Sequence, residues 1–423
     1  MRPRTSSHLN FRRARTRLLS DIFPNTPVCV RSISTTSLNK VTFERLMRLG
    51  PPPLSPQALI ESAELTRVEL TERLERRINV QMSLPYLPAS NPHTSEVMKI
   101  YTNAWAELSA TPPITCDFLS SLEQNGQLVN QLEKMVEDEA NIIPLFAKGF
   151  QECRRYLSED QISSFLDKAI RDRLSIRLLA EQHLALSHPA AQGSDTLIGI
   201  VNTELDIRNS IDRSAAFVRD LCDGTYGHSP SWIVKGDLNA KGCFVGIHSK
   251  VFNNPSGLLT LLEFASSSSE STYILTEILK NAFRATAEYH LKLPGSLVIP
   301  PIEITLSISQ PPLPPNLRQL PKMLSIRIRD YGGGICPRII DNIFAYAFTT
   351  ISQSDDYDEG LFGQADGLKS GLGRLAGLGY GLPMARLYAR YFGGNLEMVN
   401  LHGMSGGVDA FLLVRLGPEK QVG

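Results

Sequence analysis

The sequence predicts an N-terminal antiparallel helical bundle followed by an α/β sandwich. Three observations carry that prediction. From about residue 55 to 190 apolar residues recur at helical spacing, with hardly any strand-like alternation. After Pro189-Ala190-Ala191-Gln192-Gly193-Ser194 the texture changes to short strand candidates mixed with helices. Within that second part an amide-and-acid helix, an acid followed by three glycines and a glycine-rich helix entrance come in that order.

The chain has 423 residues and 42% apolar content, enough for two ordinary domains. No apolar run approaches the roughly eighteen residues that a membrane span needs, so membrane insertion is not expected. The formal charge of zero conceals an uneven distribution. Residues 1–40 carry Arg2, Arg4, Arg12, Arg13, Arg15, Arg17, Arg31 and Lys40 against one acid, Asp21, in a serine-rich background. That composition predicts a mitochondrial transit peptide over 1–40, with Arg31-Ser32-Ile33-Ser34-Thr35-Thr36 as a processing signal and a mature start near Val41. A basic tail for nucleic acid or membrane is the other reading of those residues. With those eight basic residues and one acid set aside, 35 basic residues face 42 acidic ones, a net of −7. Nucleic-acid binding is therefore not expected. Cys29, Cys116, Cys153, Cys222, Cys243 and Cys336 show no metal-ligand spacing and read as buried thiols in a reducing compartment.

In chain order, a helix starts at Ser55-Pro56, where proline is tolerated because a first-turn amide has no partner to lose. A pair of helices spans Ser120 to Cys153. A long helix runs from Ser163 through Leu186, with Leu166, Ile170, Leu174 and Leu178 on one stripe and Asp167 paired with Arg171 on another face. The bundle is assigned to 41–195 and the nucleotide domain to 196–418, leaving a short tail at 419–423. In the second domain a helix near Ile207–Cys222 precedes strand candidates at Trp232–Val234 and Phe244–His248. The helix around Glu277 follows, then strands at Ile302–Ser309 and Leu324–Arg329 joined by Gln310-Pro311-Pro312-Leu313-Pro314-Pro315, read as an exposed hairpin extension. Residues 349–376 are polar and glycine-rich, with Asp355, Asp356, Asp358 and Glu359, and read as a mobile lid. A helix at Pro383–Phe392 and strands at Asn395–Val399 and Ala410–Arg415 close the fold.

The three patterns fit phosphoryl transfer, which needs a held base, a metal bridging phosphates and a group to take the acceptor proton. Asn281 offers an amide oxygen of the kind magnesium accepts alongside phosphates. Glu277 lies one helical turn earlier on the same face, which places a carboxylate beside the terminal phosphate. Asp330, at a strand end, can accept from the adenine amino group, and Gly332, Gly333 and Gly334 let the backbone turn closely. Gly377, Gly379 and Gly381, with Leu378, Tyr380 and Leu382 between and after them, open a helix whose free amides favour phosphate. Each pattern alone is more often a solvated helix face or an ordinary turn; their order and spacing together point to a nucleotide site.

Glu277…Asn281, Asp330-x-Gly-Gly-Gly and Gly377-x-Gly-x-Gly resemble the N, G1 and G2 boxes of the GHKL ATPase superfamily. Within it, Lys280-Asn281-Ala282-Phe283-Arg284-Ala285-Thr286, the block Leu375–Pro383, Ala385–Gly394 and the helix Phe165–Arg177 resemble the mitochondrial 2-oxo-acid dehydrogenase kinases. The resemblance runs from about residue 45 to 417. It implies a protein-serine kinase that uses Mg-ATP to phosphorylate and inactivate the E1α subunit of a branched-chain or pyruvate dehydrogenase complex in the mitochondrial matrix. By matching position Asn281 would bind magnesium, Glu277 would be the general base and Asp330 would read adenine. Lys280, Arg284, Thr349 and Thr350 join the candidate nucleotide-binding set. The resemblance further implies docking of the helical domain on the lipoyl domain of E2 and a homodimer formed through the nucleotide domain's sheet.

Tyr273, His183-Leu184-Ala185-Leu186 and the stop at Gly423 lean toward the branched-chain kinase, whereas Leu375–Gly394 is more similar to the pyruvate enzymes. Residues 243–272 depart from the family pattern, and Gly403-Met404-Ser405-Gly406-Gly407-Val408-Asp409 stands where a tighter turn is expected. A catalytically impaired scaffold on the E2 core and a histidine-kinase-like ATPase are the alternatives. The second needs a phosphoacceptor histidine followed by an acid and, shortly after, a proline; His183 is followed by Leu184 and Ala185 and reads instead as a packed bundle residue.

Overall fold

The computed structural model describes residues 40–49, 54–112, 114, 118–188, 197–245, 273–293, 298–309, 322–346, 379–401 and 406–416. The transit-peptide segment before Lys40, residues 246–272, the proline connector, the 349–376 segment and the 419–423 tail lie outside them. Lys40–Gly423 forms one compact unit.

Among the described residues the N-terminal part forms helices and no strands: α1 (Phe43–Leu46), α2 (Pro56–Gln81), α3 (Tyr86–Ser90), α4 (Pro92–Ala110), α5 (Phe118–Asp138), α6 (Ile142–Cys153) and α7 (Glu159–Ser187). Their starts are written in the sequence. Ser55 caps α2 by accepting from the Ala58 amide with Pro56 in the first turn, and Ser158 and Gln161 close a reciprocal capping box at α7. Leu166, Ile170, Leu174 and Leu178 are all buried, as their stripe predicted, and Arg171 pairs with Asp167 at 3.7 Å. Side-chain pairs fix the helix directions. Ser62 meets His183 while Arg73 meets Ser175, so α2 and α7 run antiparallel; Thr111–Gln131 and Glu107–Lys134 say the same of α4 and α5. Arg77 is fully buried among Tyr101, Phe146 and Phe165, its guanidinium carbon 5.0–5.6 Å from their ring centroids.

The C-terminal part holds two sheets. The smaller joins β1 (Leu197–Ile198), β2 (Val201–Asp206) and β4 (Lys241–Val245), all antiparallel. Gln182 of α7 ties it to the bundle: its amide nitrogen donates to the Leu46 and Ile198 carbonyls and its oxygen accepts from the Ile200 amide. The larger sheet has the order β3 (Trp232–Gly236), β5 (Ile302–Ser309), β6 (Met323–Arg329), β8 (Gly407–Arg415), β7 (Asn395–Leu401). β3 and β5 are parallel, the remaining neighbours antiparallel. Ile302, Ile304 and Leu306, Leu324, Ile326 and Ile328, and Ala410 and Leu412 form its buried face. Against it pack α9 (Tyr273–Leu291) and α10 (Gly381–Tyr391), with α8 (Ile207–Tyr226) beside α9. The other face leaves Ile233, Phe411 and Val399 exposed.

Two expectations change. The β1–β2 pair was not anticipated: Val201–Asp206 reads as Val-Asn-Thr-Glu-Leu-Asp, mostly polar and bulged against β4. Cys336 is exposed, not buried, in the loop that follows the glycine turn after β6; Cys153 and Cys222 are buried as expected. No described helix is long and apolar enough to cross a membrane.

Candidate nucleotide site

One helix and two glycine turns define the site. On α9, residues 277, 281, 285 and 289 succeed one another at helical spacing of four and so follow one stripe. Three glycines lie against that stripe. A Cβ on Gly381 would sit 2.3 Å from the Glu277 carboxylate, and a Cβ on Gly332 would sit 2.5 Å from the Ala285 methyl. Gly333 lies under the Tyr289 ring with φ +81°, and Gly334 (φ +86°) and Gly379 (φ +74°) share that left-handed backbone. Asn281 is exposed on the turn between Glu277 and Ala285. The sequence-predicted acid and amide are thus brought between the two predicted glycine turns.

Asp330 ends β6 and is buried. Its Oδ1 accepts from the Gly332 amide at 2.9 Å and the Val408 amide at 3.1 Å; among the described residues no hydrogen bond is recorded to Oδ2. Burial pushes its carboxyl up to about 6, against the pull of those two amides and aided by the charge of Asp409. Arg329 holds Asp409 in a two-pronged pair at 2.8 and 2.7 Å, which locks β6 to β8 beside the site.

The cations keep to their own helix. Lys280 Nζ lies 2.7 Å from the Glu277 carboxylate. Arg284 donates to Glu288 at 2.6 Å, and Tyr226 of α8 donates to the same oxygen at 2.6 Å. Burial works against the Arg284 charge, but the pairing with Glu288 outweighs it and holds the guanidinium above its ordinary value. Tyr380 is buried, Leu382 is half-buried, and Thr349, Thr350, Gly377 and Leu378 lie outside the described residues.

Several contributors escaped sequence reasoning. Asn400 of β7 accepts from the Ile335 amide at 2.8 Å and donates to its carbonyl at 2.6 Å, pinning the glycine turn. Gly407 must lack a side chain, since a Cβ there would sit 2.0 Å from the Asp330 carbonyl oxygen, and the Gly333 amide donates to the Gly406 carbonyl. The only sequence signal for these was the unusual Gly406-Gly407-Val408 turn, which read as a departure.

The residues present fit a magnesium nucleotide. The glycines let two backbone turns close onto the α9 stripe beside an exposed Asn281, which supplies a hard amide oxygen, and Asp330 retains an acceptor oxygen. His183, by contrast, is 1% exposed, bonded to Ser62 and Asn125, and held down to about 4 by burial, so it is a packed bundle histidine.

Helix, strand-end aspartate and glycine turns on a mixed sheet place the C-terminal part in the class of GHKL ATPases, and a model of histidine kinase-, DNA gyrase B- and HSP90-like ATPases matches residues 268–416. Residues 40–202 match a model described as mitochondrial branched-chain alpha-ketoacid dehydrogenase kinase. Across both parts the chain is thus similar to the mitochondrial 2-oxo-acid dehydrogenase kinases, and it is an ATP-dependent phosphotransferase. It is 26% identical over 385 residues to a mitochondrial pyruvate dehydrogenase (acetyl-transferring) kinase of Arabidopsis thaliana, covering 90% of this chain and 92% of that one. Isozyme 4 of Mus musculus is 28% identical over 402 residues (91% and 86%), and kinase 1 of Saccharomyces cerevisiae is 26% identical over 404 (94% and 88%). A mycobacterial sensor histidine kinase, MprB, overlaps 51% of this chain and 97% of its own at 16% identity with a TM-score of 0.29, too distant to inform the fold.

Proposed function

We propose that this chain transfers the γ-phosphoryl group of Mg-ATP to a serine of the E1α subunit of a 2-oxo-acid dehydrogenase complex and so inactivates it. The observation that carries this reading is the placement of Glu277 and Asn281 on one stripe of α9, between the Gly332 and Gly381 turns. Magnesium, when bound, neutralises charge on the phosphates. Asn281 would hold it, and Asp330 would accept from the adenine amino group through its remaining oxygen. The Gly332–Gly334 and Gly379–Gly381 backbones would let the nucleotide approach closely, with Leu378, Tyr380 and Leu382 bordering it. Lys280, Arg284, Thr349 and Thr350 would surround the phosphates. Glu277 would take the serine proton as the hydroxyl oxygen bonds to the γ-phosphorus and the bond to ADP breaks. Lys280 orients that carboxylate in the meantime.

The full-length relatives are pyruvate dehydrogenase kinases, which is why the pyruvate complex comes first as substrate. A branched-chain complex is the second, favoured by the description of the bundle match. On the same reading the chain acts in the mitochondrial matrix after losing residues 1–40, and its bundle (41–195) docks on the lipoyl domain of E2 while 196–418 holds the nucleotide. Two copies would pair through the outer face of the large sheet, where Phe411 lies exposed between Arg327 and Glu397.

The test is ³²P transfer from Mg-ATP to pyruvate and branched-chain E1α, offered separately with their lipoyl-bearing E2. Label is expected on a serine of one E1α. Glu277→Gln should cut kcat by about 10²–10⁴-fold, the usual range for a lost general base. Nucleotide binding with no label on either E1α would refute the reading.

A further inference from the structure

The bundle and the nucleotide site are joined by a short run of direct contacts that the kinase assignment does not use. It begins on α7, where Asp167 is partly exposed and pairs only loosely with Arg171 at 3.7 Å. The Asp167 carboxylate accepts a 2.7 Å hydrogen bond from Tyr346, 179 residues away in sequence. Tyr346 is buried, and its ring packs on that of Tyr380, with centroids 5.5 Å apart. Tyr380 is 1% exposed and immediately precedes Gly381, whose backbone lies against the Glu277 carboxylate. A second contact pins the same stretch: the Arg386 guanidinium of α10 sits 4.2 Å from the centre of the Phe344 ring. Residues 344 and 346 are therefore gripped both by α10 and by a bundle helix.

We propose that Asp167 and Tyr346 are positioning residues for the nucleotide site, fixing Tyr380 and with it the glycine entrance of α10 against Glu277. The proposal rests on the kinase reading for what that entrance holds. Its physical basis is geometric. Tyr380 and Gly381 carry the backbone that must stay within contact of Glu277, and a buried ring anchored through a hydroxyl to another element leaves that backbone fewer places to go. A side chain of the helical bundle would then set how well the nucleotide is held.

The experiment compares the full chain with Tyr346→Phe, Asp167→Leu, Asp167→Asn and Arg171→Gln. Asparagine keeps an acceptor oxygen for the Tyr346 hydroxyl, and Arg171→Gln removes the loose ion pair while leaving the Tyr346 hydrogen bond in place. Two quantities are read: amide exchange over Gly379–Met384 without nucleotide, and affinity for Mg-ATP. Tyr346→Phe and Asp167→Leu should speed exchange in that stretch and weaken Mg-ATP about threefold to tenfold, the range that one net hydrogen bond spans. Asp167→Asn and Arg171→Gln should match the parent chain in both. A general loss of stability would lower the active fraction without changing the affinity of what remains. Unchanged exchange, or faster exchange with unaltered affinity, overturns the proposal. If the parent chain binds Mg-ATP but labels no E1α, the kinase reading fails while both readouts still decide the coupling; if it binds no nucleotide, exchange alone decides.

Discussion

At the scale of single residues, Asp330 carries the most testable chemistry. Its carboxyl is pushed up to about 6 by burial, so acidification from pH 7 to about 5.5 protonates much of it before a nucleotide arrives. An ionised acid accepts from an amino group through Oδ2; a protonated one presents a hydrogen there instead. Mg-ATP affinity should therefore be full above pH 7 and fall as pH drops through about 6, followed by calorimetric titration across that window. Asp330→Asn should bind weakly throughout and lose the pH dependence, because its Oδ1 remains committed to the Gly332 and Val408 amides and a donor takes the other position. Glu277, Asn281, Asp330 and Gly332–Gly334 could be put forward from the sequence because each sits in a local pattern. Asn400 and Val408 were not, since their partners lie 65 and 78 residues away and only the closed sheet brings them together.

Among elements, α7 is the one whose pH behaviour is most exposed to test. It buries His183 between Ser62 of α2 and Asn125 of α5, and burial lowers the imidazole to about 4 from an ordinary 6.5. The folded chain keeps that ring neutral where an unfolded chain would protonate it. Stability from this site is thus complete above about pH 6.5 and is lost as pH falls toward 4, on the order of 3 kcal/mol in all. Urea unfolding at pH 7 and pH 5 should show the decline, and His183→Gln should flatten it. The helices themselves were legible from caps and stripes, α2 from Ser55-Pro56 and α7 from its leucine and isoleucine run. The β1–β2–β4 sheet was not. β1 has two residues, β2 is polar and bulged, and what holds them to the bundle is Gln182, a side chain with no periodic signal.

For the whole molecule, the proposed homodimer makes the sharpest prediction. Phe411 is 37% exposed and its cross-strand neighbours are Arg327 and Glu397. Phe411→Glu would place a second carboxylate beside Glu397 and remove the apolar centre of that face. Sedimentation should show the variant as a monomer that still binds Mg-ATP; an unchanged dimer would mean that another surface pairs the copies. The two-part architecture was legible from the change in texture near residue 190, but its fastening was not, because Gln182 and Asp167 join segments far apart in the chain. The parallel pairing of β3 with β5 has a further consequence for how such a chain tolerates change. Trp232 aligns with Ile302, so everything between them, α9 with the candidate base included, is one crossover connection. Entropy charges such a connection only logarithmically for added length, about 0.6 kcal/mol per doubling. The unusual stretch 243–272 falls inside that crossover, ahead of α9, where a lineage can lengthen its chain at least cost to the sheet that frames the site.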